Sequence, residues 1–201
     1  MNLELPVPLS VEDDESKQEI LDCARDLYIE YGLRRTTMED VAKRAGIGRA
    51  TLYRRFSDKE QLFQAVIMRD AQRDLARIQS AISRQKTFLD GLIEAFVLAV
   101  GLLHNNPLLS RLLTTEPDNV LPFLTTDFDS VMSYTRTFIA GQIERGQKAG
   151  HIRQLPADVM AEMILRLVHS LTLTRNGAIN AGDEASVRNF AQQFLRPLLQ
   201  P

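Results

Sequence analysis

Thr36-Thr37-Met38-Glu39-Asp40-Val41-Ala42-Lys43-Arg44-Ala45-Gly46-Ile47-Gly48-Arg49-Ala50-Thr51-Leu52-Tyr53-Arg54-Arg55-Phe56-Ser57-Asp58-Lys59 is the stretch that decides the fold. Met38, Val41, Ala42 and Ala45 repeat at helical spacing until Gly46 breaks the pattern, and a second short helix, Arg49 to Phe56, follows after three residues. Two short helices with a tight glycine turn make a helix-turn-helix. Thr37 can cap the first helix with Asp40 three positions on, and Thr36 with Glu39 is an equivalent register. Ala42 and Ala45 are small where two helices approach closely, and Gly46 can take the left-handed conformation that ends a helix. Ile47, Leu52 and Phe56 are expected to pin the second helix to the core. Arg49, Ala50, Thr51, Tyr53, Arg54 and Arg55 then form its outward face and leading end, which fits a major groove. Lys59 opens the following helix, where an ammonium and free backbone N–H groups can jointly hold a phosphate.

Charge supports that reading only when it is localised. Over 201 residues, Lys+Arg 24 against Asp+Glu 26 give a net charge of -2, which on average disfavours a nucleic-acid partner. Residues 34–59, however, hold 8 basic and 3 acidic side chains, a net of +5, and the remainder carries −7. The chain is a basic segment within an acidic remainder.

The basic segment extends outward in both directions as helix. Ile20, Ala24, Leu27, Tyr28 and Tyr31 mark a helix before it, with Gly32 as its stop. Residues 1–15, broken by Pro6 and Pro8 and carrying Glu12-Asp13-Asp14-Glu15, are expected to be a disordered tail. At the other end, Ser57-Asp58 caps a long helix with Leu62, Val66 and Ile67 on its apolar side. Phe88, Leu92, Phe96, Val100 and Leu103 form a broad apolar stripe, widened by Leu89, Ile93 and Val97. Asn106-Pro107 starts a short helix to about Thr115, Pro117 and Pro122 bracket an irregular link, and 127–149 is helical up to Gly150. The last two helices span about 156–179 and 184–199. No convincing period-2 strand appears. The expectation is an all-α chain of about nine helices, divided into the tail at 1–15, a helix-turn-helix DNA-binding domain at 16–60, and a helical domain at 61–201.

Several classes are excluded. Cys23 stands alone, so no internal disulfide forms. The N-terminus lacks the basic start and apolar stretch of a signal peptide, and no run of roughly 18 uncharged apolar residues exists, so a soluble cytoplasmic protein without a membrane partner is expected. No phosphate-binding glycine loop, nucleophile elbow or paired-histidine zinc motif occurs, and His104, His151 and His169 are widely separated, so no enzyme activity, metal or cofactor is expected. The competing non-enzymatic reading is a helical adaptor whose basic segment binds another protein.

The motif Thr36-Thr37-Met38-Glu39-Asp40-Val41-Ala42-Lys43-Arg44-Ala45-Gly46-Ile47, with Ala50-Thr51-Leu52-Tyr53 and Phe56-Ser57-Asp58-Lys59-Glu60-Gln61-Leu62, resembles the DNA-binding domain of TetR-family transcriptional regulators over about residues 16–67. The resemblance implies a homodimer, usually a repressor and alternatively an activator, on a palindromic operator of double-stranded DNA. It also implies a helical C-terminal domain whose small-molecule effector moves the two reading heads apart. By the same resemblance, Thr37, Tyr53 and Lys59 fall on phosphate-contacting positions, and Arg49, Ala50, Thr51 and Arg54 in the recognition helix. Two positions depart from the family pattern. Gly48 stands where serine is common, which removes a hydroxyl, and Arg55 stands where histidine or tyrosine precedes Phe56, which adds a cation and so salt dependence.

In the C-terminal half the candidates for a mostly apolar effector pocket are Phe96, His104, Phe128, Met132, Met163, Arg166 and His169. Arg166 interrupts an apolar helix and needs a partner, whether a carboxylate of the protein, an acidic ligand or a dimer mate. The last two helices have apolar stripes and no chain left to cover them, so their pairing with a second copy is expected to form a four-helix dimer interface.

Overall fold

The computed structural model describes residues 11–125, 129–174 and 177–201, with side chains from 15 onward. The chain is all-α. In chain order the helices are α1 (Val11–Tyr31), α2 (Met38–Arg44), α3 (Arg49–Arg55), α4 (Lys59–Ser83), α5 (Phe88–His104), α6 (Pro107–Thr115), α7 (Pro117–Thr125), α8 (Asp129–Lys148), α9 (Ala157–Leu173), α10 (Glu184–Phe190) and α11 (Arg196–Leu199). A π-helical turn, Ala191–Leu195, joins the last two.

The structure adds two helical segments to the nine expected. The link at Pro117 and Pro122 is helix α7. Pro117 occupies its first position, where the missing N–H costs nothing, and burial of Val120 and Leu124 one turn apart outweighs the hydrogen bond that Pro122 removes. The final helix is divided because Pro197 lacks an N–H and its ring crowds the carbonyl of Gln193, so the preceding turn widens into a π turn. α9 also stops at Leu173, short of the expected 179. At the other end α1 starts at Val11, so residues 11–15 are helical rather than tail. The acidic run there suits the positive end of the helix dipole. The rest of the expected tail, 1–10, lies outside the described residues.

The chain forms two compact units. One runs to Arg69 and includes Arg111–Pro117, and the other comprises Asp70–Ser110 and Asp118–Pro201. The division thus falls inside α4 rather than at residue 60.

The first unit is built on Ile20, Leu21, Ala24, Leu27 and Tyr28 of α1, closed by Val41, Leu52, Phe56, Leu62 and Val66. Tyr28 is fully buried and meets Phe63 edge-on at 5.6 Å, and burial holds its phenol well above the ordinary value. Arg69, 4% exposed, reaches the Asp22 carboxylate at 2.9 Å and the Gln18 carbonyl at 3.2 Å, tying α4 to α1.

The second unit has two cores. Ile93, Phe96, Val97 and Val100 of α5 pack with Val168, Val187, Ala191 and Leu195, while Ala140, Ile143, Ile152, Ala161 and Leu199 form the other. Arginines lace the periphery: Arg188 bonds Glu94 and Glu184, each at 2.7 Å, and Arg196 bonds Asp90 at 2.7 Å. Among the described residues no single helix is long and apolar enough to cross a membrane.

Candidate nucleic-acid interface

The turn before α2 settles which threonine does what. Thr37 is the N-cap: its backbone N–H donates to Asp40 Oδ2 at 2.9 Å, its hydroxyl donates to the same oxygen at 2.6 Å, and Asp40 N donates back to Thr37 Oγ1 at 3.2 Å. Hydrogen bonds from the Thr37 side chain and backbone hold the Asp40 carboxyl below its ordinary range. Thr36 is buried and closes α1 instead, its hydroxyl donating to Gly32 O at 2.8 Å. The two registers that the sequence leaves equivalent are separated by burial, because only Thr36 faces the core.

Gly46 has φ +63°, the left-handed conformation expected there, and it lets the chain turn from α2 into α3. Gly48, with no side chain to cap, still takes the extended N-cap conformation of α3. Ile47, expected to pin α3 to the core, is only half-buried, whereas Leu52 is fully buried and Phe56 nearly so.

Burial of Leu52 and Phe56, one turn apart, orients the remaining faces of α3. Arg49 and Tyr53 lie on one exposed row, Ala50 and Arg54 on the next. Thr51 and Arg55, expected to face outward, are half-buried because their row adjoins the core-facing one. Tyr53 is 40% exposed, so it is no core aromatic. The Arg49 guanidinium pairs with the Glu39 carboxylate of α2 and lies over the Tyr53 ring, 5.5 Å from its centroid.

Other cations are tied into the fold. Arg44 makes a two-pronged bond to Glu30 of α1, at 3.0 and 2.9 Å, which holds the Glu30 carboxyl below its ordinary range. Lys59 Nζ donates to Leu33 O at 3.0 Å and Arg34 O at 3.4 Å. The same turn is fixed by Glu116, whose Oε2 accepts from Arg34 N at 2.9 Å and whose carboxylate fills the space over Gly32, where φ is +89°. The Ser57-Asp58 cap is present: Gln61 N donates to Asp58 Oδ1 at 2.8 Å.

Three contributors were invisible in the sequence. Glu39 meets Arg49 across the turn, Glu116 lies 82 residues from Arg34, and Arg69 is a buried arginine on an otherwise amphipathic helix. None has a spacing signal, since each depends on how separate segments meet.

The described C-terminal candidates lie on α5, α8 and α9. Phe96 and Met163 belong to a packed core. Arg166 is 71% exposed and has its carboxylate partner in the protein: Glu162 accepts from Nη2 at 2.7 Å and Nε at 2.9 Å. Met132 is half-buried, and Phe128 lies outside the described residues. His104 is half-buried beside Gly182. His169 is half-buried, and burial pulls its pKa below the usual value although it hydrogen-bonds the Leu124 backbone.

A family model described as bacterial regulatory proteins, tetR family, matches residues 20–66. The HTH-type transcriptional regulator UidR of Escherichia coli is 28% identical over 185 residues, covering 92% of this chain and 91% of that protein. The HTH-type transcriptional repressor KstR2 of Rhodococcus jostii is 26% identical, covering 91% and 89%. A TetR-family regulator from Pectobacterium atrosepticum shares the fold with a TM-score of 0.72 at 19% identity, covering 96% of this chain and 98% of that one. The matched segment is the one that carries the exposed α3 face and the capped turn. Residues 20–66 thus match the DNA-binding domain of the tetR family, and over nearly its whole length the chain is similar to HTH-type transcriptional regulators.

Proposed function

We propose that this protein is a homodimeric repressor in the cytoplasm that binds a palindromic operator and is released by a small, mostly apolar effector. In this reading residues 16–60 read DNA and 61–201 bind the effector and the second subunit. The observation that carries it is the exposed face of α3, where Arg49, Ala50, Tyr53 and Arg54 project away from buried Leu52 and Phe56. Thr37, Tyr53 and Lys59 contact phosphates and set the register. Lys59 has spent two of its three N–H donors on carbonyls and keeps one for a phosphate at the start of α4. Arg49, Ala50 and Arg54 face base edges, with Thr51 and Arg55 beside them at the groove wall.

Exposed apolar side chains on the last helices support the dimer. Val159 on α9 is 68% exposed, Phe194 on the π turn 58%, and Leu198 on α11 is also exposed. A second copy covering them would bury both faces. His104 and His169, each half-buried in the second unit, offer polar anchors for an effector.

A mobility-shift experiment on the full chain with operator-length random duplex at low salt tests the reading. A retarded complex that resists excess competitor after selection is expected. Absence of any complex would instead favour a helical adaptor. A reporter under the selected site should be silenced by the protein, and increased expression would mark an activator.

A further inference from the structure

The Arg49 guanidinium, at the first position of α3, is held from two directions. The Glu39 carboxylate, in the first turn of α2, pairs with Nη1. The Tyr53 ring, one turn along α3, lies against the guanidinium face at 5.5 Å. Arg49 and Glu39 are both largely exposed, so the pair contributes little to folding. Its effect is on direction. A guanidinium presents five N–H donors in a rigid planar fork, and a long arginine side chain left alone samples many rotamers. With one partner on Nη1 and one on the face, the Nη2 side of the fork stays open. Two neighbouring donors there match the O6 and N7 acceptors of guanine.

We propose that Glu39 is a specificity-determining positioning residue: it holds Arg49 against Tyr53 and so aims the open edge of the guanidinium at one base pair. Glu39 itself touches no base. The inference rests on the reading above that Arg49 contacts a base edge. It carries a second consequence of opposite sign. A carboxylate at the DNA-facing surface repels phosphates, so Glu39 weakens binding to every duplex while it sharpens the choice among them. Charge alone would change affinity without changing discrimination. Positioning changes the discrimination at one base pair.

The test uses the full chain, the duplex it selects from a random pool, and every single-base-pair variant of that duplex. Arg49→Ala comes first and identifies the base pair: discrimination there is expected to fall on the order of tenfold, with other positions unchanged. Glu39→Gln keeps the size of the side chain and removes its charge. Affinity for unrelated duplex should rise about two- to threefold, while discrimination at the Arg49 base pair falls about three- to tenfold. Glu39→Asp keeps the charge and shortens the reach, so it should lose discrimination without gaining non-specific affinity. If Glu39→Gln strengthens all duplexes alike, Glu39 is only a local charge and the proposal fails. A uniform loss together with a lowered melting temperature would make it a structural residue and would also overturn the proposal. If Arg49→Ala weakens every duplex equally, the base-reading role of Arg49 is what has failed, and that result stands apart from any made on Glu39.

Discussion

At the residue scale the reading head separates groups that hold the fold from groups that meet DNA, and some do both. Tyr53 is exposed and lies against the Arg49 guanidinium, so Tyr53→Ala should weaken binding to all sequences, lower discrimination at the Arg49 base pair, and change the melting temperature little. Lys59 grips the carbonyls of Leu33 and Arg34 and, in the proposed reading, offers its remaining donor to a phosphate. Lys59→Ala should therefore cost both uniform DNA affinity and fold stability, the latter by about 1–2 kcal/mol for charged hydrogen bonds at a part-buried site. Binding isotherms on the selected and an unrelated duplex, together with thermal melts, check both. A shifted base preference in Lys59→Ala, or in Tyr53→Ala at any base pair other than that of Arg49, would contradict the phosphate assignment. Arg44 shows the opposite case: it adds to the basic charge of the segment, yet its fork is occupied by Glu30.

At the element scale, the local devices that the sequence spells out are present because they are satisfied within a few residues. The Thr37–Asp40 cap, the left-handed Gly46 and the Asp58 cap of α4 each need only neighbours in the chain. Thr37→Ala should cost about 1 kcal/mol through loss of the cap. Gly46→Ala should cost about 1–2 kcal/mol by forcing a side chain into the left-handed region, although nothing crowds the position. Asp40 has a depressed folded pKa, so its contribution is complete at neutral pH and is lost as the pH falls through that value, below the ordinary carboxylate range. Acid melts of wild type and Asp40→Asn should converge at the acidic end. What stayed illegible depends on tertiary context. Proline punctuation at 117 and 122 reads as a break, but buried Val120 and Leu124 hold a helix together there. The π turn ahead of Pro197 cannot be read from apolar spacing, because the stripe of Val187, Phe190, Phe194 and Leu198 is regular. Phenylalanine and methionine at helical spacing are the same signal whether they fill a core, as Phe96 and Met163 do, or line a cavity, so spacing alone does not pick out an effector site.

At the scale of the whole molecule, the net charge of -2 divides into +5 over residues 34–59, −7 over residues 1–33 and zero over residues 60–201, so the positive charge that attracts a duplex is confined to the helix-turn-helix segment. Phe194→Glu with Leu198→Glu should abolish the proposed dimer while leaving each folded chain intact, and native mass spectrometry reads the outcome. His169 adds a pH term in the second unit. Its folded pKa lies below the ordinary 6.5, so the folded chain resists a proton that the unfolded chain accepts. Stability is complete above the unfolded value and declines as the pH falls through it toward the lower folded value, a slope that His169→Gln should flatten. The central claim, that the exposed face of α3 reads a DNA sequence, is tested most directly by one ratio. It is the affinity of the full chain for its selected inverted repeat over that for a scrambled duplex of equal length, at physiological salt. The ratio should be on the order of 10³ or more and should fall when Arg49 is replaced by alanine; a ratio near one, unchanged by Arg49→Ala, would contradict it.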